Sequence, residues 1–201
     1  MQVRDLGVTL DHKLTFKPHY NDIITRANRQ LGFIFKISKD FRDPLCLKSL
    51  YCSLVRSILE FSVVVWTPYQ SCWIARLESV QRRFVRYALR YLPWRNANNL
   101  PAYENRCRLL GIDTLEQRRR RAQAIFAAKI ITGEIDSPEL LHRLSLYAPE
   151  RVMRQRNFLY LSSRNSLYGM NEPLRAVAVV FNSVHHLFDF NVPLTNFVRM
   201  L

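Results

Sequence analysis

Glycine and acidic residues are both scarce in this sequence, and each shortage limits what the chain can be. Only 5 of the 201 residues are glycine, which is below the usual share of about 7%. With its stretches rich in Leu, Arg, Ala and Glu, the chain therefore favours helices. Asp and Glu number 16 against 30 Lys and Arg, which leaves a net charge of +14. Such a surplus argues against a cation-binding protein and indicates a polyanionic partner, most commonly nucleic acid.

Sequence patterns typical of enzyme active sites are also missing. The chain has no phosphate-binding Gly-x-x-x-x-Gly-Lys-Ser/Thr loop and no Gly-x-Ser-x-Gly nucleophile turn. No two acidic residues are adjacent, whereas two-metal catalysis needs carboxylates that converge on the ions. Asp5 and Asp11 have turn or capping roles open to them, and His185 and His186 lie about 100° apart on a helix. We therefore predict no catalytic residue, no metal ligand and no cofactor in this chain.

Long apolar runs and closely spaced cysteines are absent as well. No uncharged apolar stretch approaches the roughly 18 residues of a membrane-spanning helix, and the N-terminus lacks the apolar core of a signal peptide. The four cysteines, Cys46, Cys52, Cys72 and Cys107, are not spaced like zinc ligands. We expect them to be buried free thiols, as in an intracellular protein of the nucleus or cytoplasm that does not bind membranes.

Arginine and hydrophobic residues are what the chain has in abundance. Hydrophobic residues make up 48% of the sequence, which is enough to build a core and excludes a disordered basic tail. Arginine accounts for 24 of the 30 basic residues. Because the guanidinium group pairs bidentately with phosphate and stacks on bases, this bias favours nucleic-acid contact.

Periodicity predicts a mainly α fold with a short N-terminal β-hairpin followed by a multi-helix bundle. Apolar runs at 6–10 and 14–16 flank a polar turn at 11–13, which predicts the hairpin. Helical spacing follows from Pro18, and Asp43 with Pro44 predicts the start of a second helix that runs to about Val65. Further helices are expected over about 71–92, 103–110, 114–132, from 137, over 173–187 and over 194–201.

The helix over about 71–92 divides into two faces. One face is apolar and consists of Trp73, Leu77, Val80, Phe84, Ala88 and Tyr91. The opposite face contains Arg76, Arg82, Arg83, Arg86 and Arg90. Only Glu78 is available on this helix to pair with the five arginines, and like charges without a partner repel. We therefore expect these arginines to contact phosphate rather than to form a solvated face with salt bridges.

Two further features are candidates for nucleic-acid binding. The run Arg118, Arg119, Arg120 and Arg121 lies near a helix N-terminus, where the helix dipole disfavours cations. We expect two of the four to lie along their own fold and two to point outward, so phosphate binding and a structural or localisation role both stay open. Trp94, in the polar loop around residues 93–99, is a candidate for stacking on a base or sugar.

Several ordered strings resemble non-LTR retrotransposon reverse transcriptases of the insect jockey type. They are LGVTLD at 6–11 with LTF at 14–16 and His19, LY at 50–51, LVRS at 54–57 with LEF at 59–61, VWTP at 65–68, LESVQRRF at 77–84, YE at 103–104, LLG at 109–111 and LEQRR at 115–119. The resemblance covers nearly the whole chain and is strongest over residues 5–135.

The resemblance implies a C-terminal piece of an RNA-directed DNA polymerase. Residues 1–17 would be the primer-grip edge of the palm, 18–147 a helical thumb-like domain, and 148–201 a C-terminal helical extension. The family's paired catalytic aspartates precede the matched segment, so Mg2+ is expected only in the palm and no activity is expected from this chain alone. The implied partners are the backbone of RNA or an RNA–DNA duplex and the upstream palm and fingers.

The residues themselves leave a second interpretation open. A non-catalytic basic helical module could use the same arginine faces to bind RNA or an acidic protein partner. The two interpretations differ in what should precede the chain, because only the first requires a palm with paired aspartates in the upstream reading frame.

Overall fold

The computed structural model describes residues 2–40, 43–90, 101–147 and 157–201, and over these the chain is mainly helical, as predicted. The N-terminus is a hairpin of β1 (Gln2–Asp5) and β2 (Val8–Asp11). The helices that follow are α1 (Lys17–Ile37), α2 (Pro44–Tyr51), α3 (Ser57–Glu60), α4 (Val63–Trp66), α5 (Ser71–Ala88), α6 (Tyr103–Leu109), α7 (Leu115–Ile131), α8 (Pro138–Arg143), α9 (Leu167–Met170), α10 (Pro173–Val184) and α11 (Leu194–Met200). The prediction of an N-terminal hairpin followed by helices is confirmed.

The hairpin pairs different residues from those that periodicity predicts. β2 overlaps the first predicted strand, but its antiparallel partner is the upstream segment Gln2–Asp5, and residues 14–16 form no strand. The turn lies at Leu6 and Gly7, whose φ angles are +43° and +87°. Two positive φ angles are typical of the tight turn whose twist matches that of a hairpin. The sequence signal for this turn was Gly7 itself. Gly7 lies within the apolar run at 6–10, which predicts a strand.

A buried histidine joins the hairpin to α1. The Thr9 backbone N–H donates to Nδ1 of His19 at 3.3 Å, and the ring meets Trp66 edge to face with centroids 5.2 Å apart. His19 is 1% exposed. Burial lowers its pKa; Asp22 opposes this effect, and the charges of Arg26 and Arg4 add to it. The two-stranded hairpin thus gains from α1 the cover that it needs to be stable.

The second predicted helix begins as expected but does not run unbroken to Val65. Asp43 caps it by accepting from the N–H groups of Leu45 at 2.9 Å and Cys46 at 3.3 Å. A wider π-helical turn follows α2 at Cys52–Arg56, and the helix then stops at Phe61. Ser62 has a φ of +51°, which breaks the helical hydrogen bonding before α4. The apolar periodicity of residues 47–61 does not indicate this break.

α1 and α5 run parallel and form the centre of the first half of the chain. The predicted apolar face of α5 is buried at Trp73, Leu77, Val80, Phe84 and Ala88, and Tyr91 lies outside the described residues. Matching ring contacts join Tyr20 to Trp73 with centroids 5.1 Å apart and Phe35 to Tyr87 at 4.1 Å. Because both contacts advance in the same direction along both helices, the register of the pair is fixed over its length.

The described chain divides into two compact units, with the boundary between Arg118 and Arg119. The first contains the hairpin and α1 to α6. The core of the second includes Leu159, Val177, Phe181 and Phe197. Asn182 ties the segment around Leu159 to α10, because its side chain accepts from two backbone N–H groups and donates to the Leu159 carbonyl. The predicted divisions at residues 17 and 147 stay predictions.

The four cysteines are free, as expected, but they are not uniformly buried. Cys107 is buried and burial raises the pKa of its thiol, whereas Cys46 and Cys72 are exposed and Cys52 is half-buried. Apolar sequence neighbours do not decide burial on an amphipathic helix, because adjacent residues point to different faces.

Replacing Gly7 in the hairpin turn and Gly32 in α1 by alanine should change the stability of the protein in opposite directions. The backbone of Gly7 has a positive φ, and a Cβ added there would lie 3.0 Å from the Phe61 ring. A Cβ added at Gly32, within α1, would meet no atom within 4 Å. We expect Gly7→Ala to lower the free energy of unfolding by about 1 kcal/mol or more and Gly32→Ala to raise it by about 0.5–1 kcal/mol. Urea unfolding followed by circular dichroism measures both, and equal effects would contradict this account of the turn.

Burial of neutral His19 predicts a loss of stability on acidification. Since its pKa is lower in the folded state than the ordinary 6.5, the unfolded chain binds the extra proton first as the pH falls below that value. The free energy of unfolding should therefore decrease between about pH 7 and pH 5. The slope should shrink in His19→Asn, which retains an acceptor for Thr9, and persist in His12→Asn, a change at an exposed turn residue. An unchanged slope in His19→Asn would refute this assignment.

Candidate nucleic-acid interface

The predicted arginine face of α5 lies on the surface of the first unit. Arg76, Arg82, Arg83 and Arg86 are exposed, and Arg90, just beyond the helix, is half-buried. Within the described part of the chain, the first four form no ion pair. Their positive charges are therefore not neutralised by the fold.

Neutral amide oxygens, rather than carboxylates, hold two of these guanidinium groups. Arg76 donates to Oδ1 of Asn21 at 3.1 Å and lies 4.4 Å from the centroid of the Trp73 ring. Arg83 donates to Oδ1 of Asn28 at 2.8 Å. An amide oxygen occupies one of five N–H donors and leaves the full charge in place. These side chains are thus oriented while four donors each stay available to a ligand.

The spacing of these contacts follows one repeat on two helices. Arg76 and Arg83 are seven residues apart on α5, and so are their acceptors on α1. Seven residues are nearly two full turns, so the two guanidinium groups lie on one line about 10.5 Å apart along the helix. Arg82 lies beside this line, with its guanidinium 4.9 Å from the centroid of the Tyr103 ring. Arg86 has no protein partner in the described residues and completes the exposed basic face.

Glu78 is not the counter-charge that its position on α5 suggests. It is 6% exposed. Its Oε1 accepts from the Tyr103 hydroxyl at 2.5 Å and from the Leu115 backbone N–H at 3.1 Å. The carboxylate faces the interior and anchors the start of α7. Glu78, the one acidic residue on this helix, is therefore not available to form salt bridges with the arginine face.

Gln81 extends the same buried network. It accepts from the Tyr51 hydroxyl at 2.8 Å and donates to the Tyr103 hydroxyl and the Asp113 carbonyl, each at 2.9 Å. Burial raises the pKa of Tyr103, and the hydrogen bond and charge of Glu78 raise it further. The Tyr103 hydroxyl therefore keeps its proton and donates it to Glu78 in a hydrogen bond. The network joins α5 to α2, α6 and the segment before α7.

Arg90 has a more structural position than the other members of the face. It donates to the Ser38 carbonyl at 3.0 Å and the Lys39 carbonyl at 3.3 Å and stacks on Tyr87 at 3.8 Å. A cation bonded to the carbonyls just after the C-terminus of α1 stabilises that helix end. Trp94, the candidate for base stacking, lies outside the described residues.

The run 118–121 has one exposed guanidinium, that of Arg120, rather than two. Arg118 pairs through two hydrogen bonds with Glu60, whose Oε2 lies 2.8 Å from Nη2. Arg119 is 3% exposed, and Arg121 donates to the Val198 carbonyl. Thr114 and Gln117 form a capping box at the start of this helix, since the Thr114 N–H donates to the Gln117 side chain at 3.0 Å and the Gln117 N–H donates to the Thr114 hydroxyl at 3.2 Å. Arg120 is thus the residue of this run that is best placed to meet phosphate.

Asn21 and Asn28 are the site residues that sequence reasoning missed. Asparagine is common on exposed helix faces, so neither stands out alone. The available signal was their seven-residue spacing, which equals that of Arg76 and Arg83.

Two further classes of site have no candidate in the described ranges. No cluster of three or more His, Cys, Asp or Glu side chains suited to a metal ion is found there. No helix there is long and apolar enough to cross a bilayer.

Comparison of the chain with protein-family models, curated proteins and solved structures gives no match.

The buried network predicts that Gln81 stabilises the first unit strongly. Gln81→Leu keeps the side-chain size but leaves the Tyr51 hydroxyl, a Tyr103 lone pair and the Asp113 carbonyl without this partner. We expect a loss of about 2–4 kcal/mol in the free energy of unfolding, because each unsatisfied buried group costs about 1–3 kcal/mol. Ser79→Ala, on the exposed side of α5, should change it by less than about 0.5 kcal/mol. Urea unfolding compares them, and equal stability of Gln81→Leu and wild type would contradict the role of this network.

Proposed function

We propose that this chain grips the sugar–phosphate backbone of an RNA-containing duplex through the arginine face of α5. The observation that supports this most strongly is the set of exposed guanidinium groups oriented by neutral partners. A fold that needed these charges for itself would pair them with carboxylates, and the described part of the chain does not. Oriented donors also lose less side-chain entropy when a ligand binds.

The geometry favours binding without sequence preference. Phosphate contacts fix position and orientation, whereas sequence is recognised through base edges. Arg76 and Arg83 are about 10.5 Å apart along one face of α5, so both can contact phosphates of one backbone. The face is helical and exposed, and such a surface suits the wide, shallow minor groove of an A-form duplex.

The family resemblance supports a more specific form of the proposal. In that form, the chain is the thumb and C-terminal region of a reverse transcriptase from a non-LTR mobile element, and it clamps template and primer for a palm that lies upstream. The polymerase chemistry and its Mg2+ would then belong to that palm. The upstream reading frame tests this form, because it should encode paired aspartates; an unrelated upstream frame would overturn it and leave only the duplex-binding module.

A charge-matched pair of variants tests duplex binding. Arg83→Gln with Arg86→Gln removes two charges from the face, and Arg108→Gln with Arg199→Gln removes two exposed charges elsewhere. For a labelled RNA–DNA hybrid we expect the first variant to weaken binding at least about tenfold more than the second at about 0.1 M salt, which is roughly 1.4 kcal/mol. The slope of log K against log salt should fall by about two for the first variant.

Three outcomes would contradict the proposal. One is an affinity of wild type that does not change with salt; another is an equal effect of the two double variants. The third is equal binding of polyglutamate and duplex, which would favour an acidic protein partner. Circular dichroism and thermal unfolding establish that each variant is folded.

A further inference from the structure

The second unit contains a cleft that the proposed duplex grip does not use. Its volume is about 290 Å³, and it lies between α8, the segment at 160–164 and the start of α10. Ligand pockets commonly begin near 300 Å³. The space therefore suits a ligand no larger than a mononucleotide.

Three arginines from three separate segments line this cleft, together with one acidic residue. They are Arg143 at the end of α8, Arg164 in the connecting segment and Arg175 in the first turn of α10, with Glu172 just before α10. Glu172 accepts a hydrogen bond from Arg143, and its other oxygen lies 3.8 Å from Arg164. Three positive charges and one negative charge give the lining of the cleft a net charge of +2 from these four residues.

The guanidinium groups have more donors than the protein has acceptors for them. Arg175 donates from Nη1 to the Met170 carbonyl at 3.1 Å, while its buried Nε–H has no hydrogen-bond partner among the residues that the structure describes. Arg143 and Arg164 are about half exposed, at 56% and 49% of their side chains, so a ligand in the cleft can reach both side chains. Donors in this fork-shaped arrangement match the oxygens of a phosphate group.

The lining of the cleft also includes an aromatic ring, that of Tyr160. Tyr160 is 54% exposed, and its ring stacks on Tyr147 with centroids 6.2 Å apart and planes 22° from parallel. Leu144 and Ala178, which also line the cleft, are buried. A tyrosine ring braced from one side offers its remaining surface to a flat ring, as in base stacking on aromatic side chains.

We propose that this cleft binds a nucleoside phosphate, with the phosphate on Arg143, Arg164 and Arg175 and the base against Tyr160. The ligand is a free mononucleotide or the phosphorylated end of a nucleic-acid strand, since both present the same groups. The proposal does not rest on the duplex grip of α5, which lies in the other unit.

Glu172 makes the test specific, because a ligand phosphate would compete with its carboxylate. We expect Glu172→Gln to bind AMP about three- to tenfold more tightly than wild type, and Arg175→Gln to bind it at least about tenfold more weakly, a change of about 1.4 kcal/mol. Arg199→Gln removes an exposed charge elsewhere in the same unit and should leave the affinity unchanged. Isothermal titration with AMP, adenosine and inorganic phosphate measures these effects, with thermal unfolding as the control for folding.

Several results would overturn the proposal. They are equal binding of AMP and adenosine, equal effects of Arg175→Gln and Arg199→Gln, and a loss of AMP affinity in folded Glu172→Gln. Equal affinity for AMP and inorganic phosphate would show that the base does not contribute to binding, which would contradict its proposed contact with Tyr160. If Glu172→Gln does not fold, Arg164→Gln and Tyr160→Ala replace it, and each should weaken AMP binding.

Oligonucleotides distinguish the two sources of the ligand. Tighter binding of a 5′-phosphorylated RNA oligonucleotide than of AMP indicates a strand end, and binding of AMP alone indicates a free nucleotide. Either result supports the cleft. Arg83→Gln with Arg86→Gln should leave AMP affinity unchanged, so failure of the cleft and failure of the duplex grip are separable.

Discussion

The rotational setting of α5 is the constraint on which the first unit depends, and a buried polar network fixes it. Glu78 and Gln81 face the interior. Glu78 accepts hydrogen bonds from Tyr103 and from the backbone N–H of Leu115 at the start of α7. Gln81 bonds to Tyr51 and to the backbone carbonyl of Asp113. In a low-dielectric interior each lost partner is costly. A rotation or a one-turn slide of α5 would break several of these bonds at once. The face opposite the network is therefore held toward solvent.

This constraint explains why the arginine face is both charged and ordered. The one acidic side chain of α5 is committed to the interior, so charge on the exposed side is not balanced along the helix. α1 supplies amide oxygens at the same seven-residue repeat, and Trp73 and Tyr103 supply ring faces. Such partners orient a guanidinium group without neutralising it. The surface thus combines oriented donors with positive charges that carboxylates of the described residues do not neutralise.

The second unit arranges its arginines differently. Around the cleft at α8 and α10, the basic groups surround a carboxylate in a concave space instead of lining an exposed helix. The pairing of Glu172 with Arg143 and Arg164 gathers the guanidinium groups without cancelling their total charge. A linear row suits an extended polyanion, whereas a concave cluster beside an exposed tyrosine suits a single phosphorylated group. The same residue type can therefore serve two kinds of ligand, and geometry decides between them.

Sequence by itself determined the features that depend on neighbouring residues. Asp43, the Thr114 and Gln117 capping box and the two faces of α5 were all predictable, because caps and helical periodicity act within a few residues. Only the tertiary structure decided the pairing of Arg118 with Glu60 and the inward position of Glu78. Each of these depends on a partner distant in the sequence. Charge content is a property of composition, but whether a charge is neutralised depends on what the fold places beside it.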